Sequence, residues 1–435
     1  MMPRSKKVSK AERLSIFINS INIGHLDRDL NGALSFTYDQ SWLDHPQALR
    51  ISSKFTLRER PYIGQTVRDY FDNLLPDDRQ VRERVAARAQ AGGTQAFDIL
   101  AAIGRDCVGA LQFYPEGEQP GPVKEAQGRI LSDAEIAKIL RGLRVNPLGI
   151  NREQDFRISL AGTQSKTALL KVNNQWMLPE GAIPTTHIFK PSIGQVPQGP
   201  DLSLSVENEW LCLKLLQAFG LSVAQTEMTE FDGIKVLIVE RFDRSWSGKK
   251  LYRLPQEDLC QALGYGPEIK YEADGGPGIG QILSLLNESD QRDLDRRNFM
   301  KAQLIFWMIA AIDGHAKNFS LFIRPEGFIS TPFYDVMSAE PHINPKTFPA
   351  QKIKLAMSVG KNHHYKVKEI QPRHWLQTAS QYKFDGIEKL IKEIIINTPL
   401  AIEAVNAELP REFPALVSDS IFEAMNSRIK KLSIG

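Results

Sequence analysis

The sequence predicts an α+β chain folded as two lobes, and three observations lead there. Short stretches of apolar–polar alternation characterise its first part, as in Leu14–Ile18, Ala33–Tyr38, Ala168–Val172 and Lys235–Val239. Helical spacing characterises its last part, in the long apolar run Asp295–Ile312 and the amphipathic segments Phe384–Ile396 and Ile421–Leu432. A chain of 435 residues is long enough for two or three packed domains.

Residues 1–13 read as a flexible basic tail, with Arg4, Lys6, Lys7 and Lys10 but no apolar signal-peptide core behind them. Residues 14–148 are expected to form a small N-terminal α/β accessory domain. Its strands Leu14–Ile18 and Ala33–Tyr38 lie on either side of a turn-forming Asn19–Asn22, and helices are expected over Thr66–Leu75, Arg79–Ala91 and Phe97–Ile103. A strand at Val108–Phe113 and the aperiodic loop Pro115–Arg129 precede a helix capped by Ser132. Residues 149–245 read as a strand-rich core, with Phe156–Ser159, Ala168–Val172, Thr186–Lys190 and Lys235–Val239 around the helix Ser205–Phe219. Residues 246–435 read as an all-helical C-terminal lobe, interrupted by hairpins over Ser247–Gln256 and Phe319–Ile329 and by the Gly- and Pro-rich loop Gly264–Gly280. The tail from Lys352 reads as helical and basic in patches.

The chemistry centres on Asp313-Gly-His-Ala-Lys-Asn318, where the apolar run breaks at a glycine. Phosphoryl transfer needs a carboxylate to accept the proton of the attacking hydroxyl and a nearby amide oxygen to hold Mg²⁺. Protein kinases space the two as D-x-x-x-x-N, which is the spacing here. Asp335, seventeen residues beyond Asn318, is a candidate second metal ligand. Upstream, Leu160-Ala-Gly-Thr-Gln-Ser-Lys166 joins two expected strands with small and hydroxylated residues, as a loop over ATP phosphates would; a plain polar hairpin tip fits the same pattern. Lys190 ends an apolar strand, where a lysine is costly unless something anionic meets it. Glu209, in the helix after it, is the candidate ion-pair partner. Lys235–Val239 then runs into Glu240-Arg241-Phe242, where a sheet edge could meet adenine. Loop, lysine, helix glutamate, edge strand, acid with amide and second acid stand in the order of a two-lobed protein-kinase-like fold.

Composition agrees with a globular chain and excludes several classes. Fifty-four basic side chains against 51 acidic leave a net charge of +3, so no global field demands nucleic acid. Three isolated cysteines, Cys107, Cys212 and Cys260, predict reduced thiols and a cytoplasmic protein. No apolar run reaches membrane-spanning length, so no membrane partner is expected.

Several stretches together resemble one family. Phe71-Asp-Asn-Leu-Leu-Pro-Asp77, Ile103-Gly-Arg-Asp-Cys-Val-Gly109, Asp155-Phe-Arg-Ile-Ser-Leu-Ala-Gly162, Val239-Glu-Arg-Phe-Asp-Arg244, Leu254-Pro-Gln-Glu-Asp258, Asp274-Gly-Gly-Pro-Gly-Ile279 and Asp313–Ser320 with Pro332-Phe-Tyr-Asp335 carry the likeness. The chain is similar to the HipA family of serine/threonine kinases, the toxin half of bacterial toxin–antitoxin modules. The resemblance implies Asp313 as catalytic base and Asn318 and Asp335 as Mg²⁺ ligands. It implies Lys190 on ATP phosphates, Glu240 and Phe242 on adenine through their backbones, and His315, Lys317 and Tyr334 near the nucleotide. Leu160, Ala161, Gly162, Thr163, Gln164, Ser165 and Lys166 would cover the phosphates, and Ser159 matches the family's autophosphorylated serine. Partners implied are a HipB-type helix-turn-helix antitoxin dimer, operator DNA through it, and glutamyl-tRNA synthetase as substrate. Two alternatives are a small-molecule phosphotransferase and a catalytically silent DNA-bound corepressor; intact Asp313, Asn318, Asp335 and Lys190 speak against the second.

Overall fold

The computed structural model describes residues 11–149, 158–196, 199–343 and 348–434. Residues 1–10 of the expected tail and Phe156-Arg157 of an expected strand lie outside these, while Glu12 already begins the first strand. The chain forms two compact units. The first takes the N-terminal chain to Pro191 with Thr229–Glu268 and Leu321–Glu326; the second takes Ser192–Met228, Ile269–Ser320 and the chain from Gly327 onward.

Among the described residues the first unit holds two larger sheets and the hairpin Arg244–Ser247/Lys250–Arg253. One runs in the order Tyr62–Ile63, Leu34–Tyr38, Ile21–Arg28, Glu12–Ile18, Leu111–Pro115. The strand Ile21–Arg28 is an addition to the expected set. Asn19 and Ser20, both in the left-handed region, turn the chain into it directly. Helices Gln65–Asp72, Arg79–Ala89 and Ala96–Ile103 accompany this sheet. Asp78 caps the second by accepting from the Val81 N–H at 2.8 Å.

In the other sheet Ile234–Glu240, His187–Pro191, Thr167–Val172, Gln175–Pro179 and Gly128–Ile130 lie side by side. The helix Asp133–Gly142 starts with a capping box in which Ser132 and Glu135 satisfy each other's backbone N–H groups. One buried apolar cluster runs through both sheets, from Leu14 and Phe36 through Phe71 and Ile136 to Leu169, Phe189 and Ile238. Burial of that continuous surface is the main force holding the unit together.

In the second unit the helices are Ser205–Ala218, Ile279–Leu285, Arg292–Ile309, Pro372–Gln381, Ile387–Glu408 and Ala415–Ile434. Arg292–Ile309 is buried on nearly every face from Phe299 onward, which explains an apolar run too continuous for an amphipathic stripe. It ends at Ile309 rather than at Ile312. Ala310 takes the left-handed conformation and its N–H bonds back to Phe306 and Trp307, so Asp313 lies beyond the helix in a turn. The expectation of an all-helical C-terminal lobe also needs a local correction. The stretch after Lys352 opens with the strand pair Lys354–Val359 and His364–Lys366, and helix resumes only at Pro372. Val359 and Val367 are buried while Lys361, Lys366 and Lys368 are exposed, a strand-like division that the charge pattern hid. All three cysteines are buried and none forms a disulfide among the described residues. Among the described residues no helix is long and apolar enough to cross a membrane.

His187 begins the strand that carries Lys190, with its ring edge-on to Trp176. Burial pushes its imidazole down to about 4, and Lys171 adds to the effect. The unfolded chain, with an ordinary histidine near 6.5, therefore binds a proton that the fold refuses between those values. The contribution is intact above pH 6.5 and is lost as pH falls toward 4, by about 3 kcal/mol. In urea unfolding from pH 7 to pH 4, wild type is expected to lose about that much more stability than His187→Gln. Parallel pH profiles would contradict this account.

Candidate active site

The first unit presents a loop, a lysine and a strand end. The loop is docked against the N-terminal part of the unit. Ile158 bridges Asp106 in parallel register, and the Ser159 N–H donates to the Asp106 carbonyl at 3.0 Å. The Ser159 hydroxyl, wholly buried, donates to the Leu74 carbonyl at 2.8 Å. Further on, the Asp77 N–H donates to the Gly162 carbonyl at 3.3 Å. Gly162 has a φ of +98°, and a Cβ there would lie 2.7 Å from Lys166 Nζ. The positive φ is what favours glycine, since the Lys166 terminus could shift to admit a Cβ. Lys166 folds under the loop and donates to the Ala161 carbonyl at 2.5 Å, and Gln164 Nε2 donates to the Pro191 carbonyl at 3.3 Å. Leu160 is buried, whereas Thr163 and Ser165 are exposed at the tip.

Lys190 is buried in the sheet opposite Leu237. Glu240, opposite His187, ends its strand exposed, and Phe242 is half-buried with its ring edge-on to Phe322 at 5.8 Å. Arg241 differs from the expectation of a nucleotide contact. Its side chain is turned into the unit onto Asp243, Asp106 and Thr185, and its N–H donates to the Thr186 carbonyl at 2.8 Å.

The second unit presents the acid–amide turn. The Asp313 carbonyl accepts from the His315 N–H at 2.8 Å and from Asn318 Nδ2 at 2.7 Å. The Asn318 N–H returns to the His315 carbonyl at 2.9 Å. With its amide nitrogen engaged on Asp313, what Asn318 has to present is its amide oxygen. Gly314 allows the turn, because a Cβ there would strike the Phe306 ring at 2.6 Å. The Asp313 side chain is 47% exposed and that of His315 only 4%, with His315 Nε2 3.7 Å from Asp313 Oδ1. The carboxylate is thus accessible and the imidazole supports it from inside. Tyr271 donates its hydroxyl to Asp313 Oδ1 and sets its ring edge-on to His315. Lys317 is buried; its carbonyl accepts from the Tyr334 hydroxyl at 3.1 Å. Tyr334 also bonds the Ser320 hydroxyl at 2.5 Å.

Asp335 has a φ of +59°, an uncommon conformation for a non-glycine residue, of the kind that collects at functional sites. The segment after it is tied down. Asn208 Nδ2 donates to the Ser338 carbonyl and Asn208 Oδ1 accepts from the Ser338 N–H, both at 2.8 Å, and the Ser338 hydroxyl donates to the Ile309 carbonyl at 2.5 Å. One residue later on the same helix, Glu209 is buried. Among the described residues no group of three His, Cys, Asp or Glu side chains could hold a metal. A cation here would rest on the amide oxygen of Asn318, the carboxylate of Asp335 and oxygens of its ligand. This all-oxygen donor set suits Mg²⁺, which binds through one or two protein groups plus phosphates.

Sequence reasoning missed Tyr271, Leu74, Asp77 and Asp106. Tyr271 lies in the loop read only as Gly- and Pro-rich, and the other three act through backbone groups or from far along the chain.

Kinase-type phosphotransferases use a carboxylate with an amide, a lysine and a phosphate loop, and residues of each type stand in this chain. Comparison with known proteins agrees. The HipA-like C-terminal domain matches residues 158–404, and the HipA N-terminal domain matches residues 14–114. Y4mE of Sinorhizobium fredii, provisionally named a kinase, is 32% identical over 396 residues, 89% of this chain and 87% of the relative. The serine/threonine-protein kinase toxin HipA of Shewanella oneidensis is 28% identical over 281 residues, 62% of each chain. The solved structure of Shewanella oneidensis HipA with HipB and operator DNA superposes with a TM-score of 0.80 at 22% identity, covering 97% of this chain and 98% of that one. The chain belongs to the HipA family of serine/threonine kinase toxins.

Replacing Ser159 by alanine leaves the Leu74 carbonyl without its donor inside the fold. Ser159→Ala is expected to cost about 1–2 kcal/mol in urea unfolding; an unchanged midpoint would mean that the hydroxyl does not hold the loop.

Proposed function

We propose that this kinase transfers the γ-phosphoryl group of ATP to serine or threonine hydroxyls of a protein, with Asp313 as the base. The observation that carries the reading is the Asp313–Asn318 turn, which leaves one carboxylate open to solvent while its backbone is held by the amide. The attacking hydroxyl gives its proton to Asp313 as its oxygen bonds to the γ-phosphorus. The bond from that phosphorus to the β–γ bridging oxygen breaks, and ADP leaves. Tyr271 holds Asp313 Oδ1, so its hydroxyl orients the carboxylate while Oδ2 faces the substrate hydroxyl as proton acceptor. Lys190 would neutralise phosphate charge, and Leu160–Lys166 would bring backbone N–H groups to the phosphates. Glu240 and Phe242 would meet adenine through their backbones. A Mg²⁺ held by Asn318 and Asp335 would supply further neutralisation of the transferring group.

Ser159 is the proposed autophosphorylation site. Its hydroxyl is buried in the docked loop, so the loop must leave Leu74 before the serine can accept a phosphoryl group. A phosphate there would add nearly two negative charges, which a buried position cannot take back, and the loop would stay out. The proposal extends, as the resemblance implies, to a toxin role with a HipB-type helix-turn-helix antitoxin, operator DNA bound through it, and glutamyl-tRNA synthetase as the protein phosphorylated. The proposed division of labour is accessory domain 14–148, loop and adenine edge 149–245, and base and metal ligands 246–435.

Two measurements test the assignment. Asp313→Gln is expected to lower transfer to an acceptor protein by at least about a thousandfold while ATP affinity by calorimetry stays within about threefold. Removal of divalent metal with a chelator is expected to stop transfer reversibly. Transfer surviving in Asp313→Gln would exclude it as the base.

A further inference from the structure

Five charged side chains lie buried together in the first unit. They are Asp106, Arg241, Asp243, Arg244 and Arg253, each side chain at most 6% exposed. Asp106 is the centre. Its Oδ1 accepts from Arg244 at 2.8 Å and from Arg253 at 3.1 Å. Its Oδ2 accepts from Arg241 at 3.2 Å, from the Thr185 N–H at 3.0 Å and from the Thr185 hydroxyl at 2.7 Å. Asp243 takes two bonds from Arg241 and one from the Gly109 N–H. Carbonyls of Cys107, Gly109, Arg105, Ala182 and Thr185 accept further guanidinium protons.

Two features turn this cluster toward the nucleotide. Arg241 and Asp243 alternate with Glu240 and Phe242, so the cluster grips the strand end whose backbone is proposed to meet adenine. The main chain of Asp106 meanwhile holds the other nucleotide element, through its carbonyl on the Ser159 N–H and its bridge to Ile158. A single residue of the N-terminal domain match thus fixes the adenine edge with its side chain and the phosphate loop with its backbone. We propose that Asp106 is a positioning residue for ATP, through which the N-terminal domain sets nucleotide affinity. The inference rests on the ATP-binding reading above.

Asp106→Asn keeps the shape but leaves three buried guanidiniums facing one carboxylate. Thr185→Val removes hydroxyl bonds to Asp106 and Arg241 without stranding a charge, and serves if the first variant does not fold. Both are compared with wild type by Mg·ATP calorimetry and by amide hydrogen exchange. Asp106→Asn is expected to raise the ATP Kd about tenfold, and Thr185→Val about threefold. Exchange should quicken at 240–244 in both and at 158–166 in Asp106→Asn, with Glu12–Arg28 unchanged. An unaltered Kd, or exchange quickened equally in Glu12–Arg28, would reduce Asp106 to a general stabiliser and overturn the inference. If wild type itself binds no Mg·ATP, the kinase reading fails, and the positioning role with it, whatever exchange shows at the two segments.

Discussion

Two carboxylates and three guanidiniums, sealed from water around Asp106, are the constraint that holds the strand end Glu240–Arg244 and the segment Ile158–Ser159 in the first unit. Charges removed from water lose their hydration, and the loss is offset only where partners and carbonyls replace the solvent completely. The balance is visible in how each group is perturbed. Burial alone would raise Asp106, yet Arg244, Arg241 and Arg253 hold it well below the usual carboxylate range. Burial, with Arg241 close by, brings Arg244 down to about 10. Deleting one member of such a set typically costs about 3–5 kcal/mol, because its partners stay buried and unpaired. The cluster therefore has one arrangement, and the strand end that threads it, Glu240–Arg244, has one position.

The second unit achieves the same end with neutral hydrogen bonds. The helix Arg292–Ile309 is anchored all round by apolar packing, and its exit through Ala310 is stitched to Ser338, which Asn208 holds from another helix. That pairing is antiparallel, Ala311 opposite Ser338, so Asp313 and Asp335 leave from the same end of the stitched segment. The turn at Asp313 is closed by Asn318 from within, by His315 from below and by Phe306 against Gly314. The chain thus holds a carboxylate near solvent on a rigid support, as general-base chemistry needs.

The parts of the site legible in the sequence were those that act within one stretch of chain. Asp313 and Asn318 stand at a spacing that a single turn closes, Gly162 sits among small residues between two strands, and Lys190 interrupts an apolar run. Helix and strand order was legible for a similar reason, since apolar periodicity records burial directly. The inward turn of Arg241 was not legible, because its side chain is buried on Asp243 and Asp106 between the exposed Glu240 and the half-buried Phe242. Leu74 acts through a carbonyl, which no side-chain pattern reports. Asp106 meets Arg241, Arg244 and Arg253 across more than a hundred residues, and Tyr271 reaches Asp313 across 42. Pairings of that kind exist only after folding. The strand pair after Lys352 was hidden by a density of lysine and histidine that outweighs its few buried valines.

The most direct measurement is intact mass spectrometry of wild type and Asp313→Gln, each shown to start unphosphorylated, after incubation with Mg·ATP. Wild type should gain one phosphate that peptide mapping places on Ser159, and Asp313→Gln should gain none. Equal phosphorylation of both proteins, or none in wild type while it binds ATP, would contradict the claim that the Asp313–Asn318 turn is the seat of phosphoryl transfer.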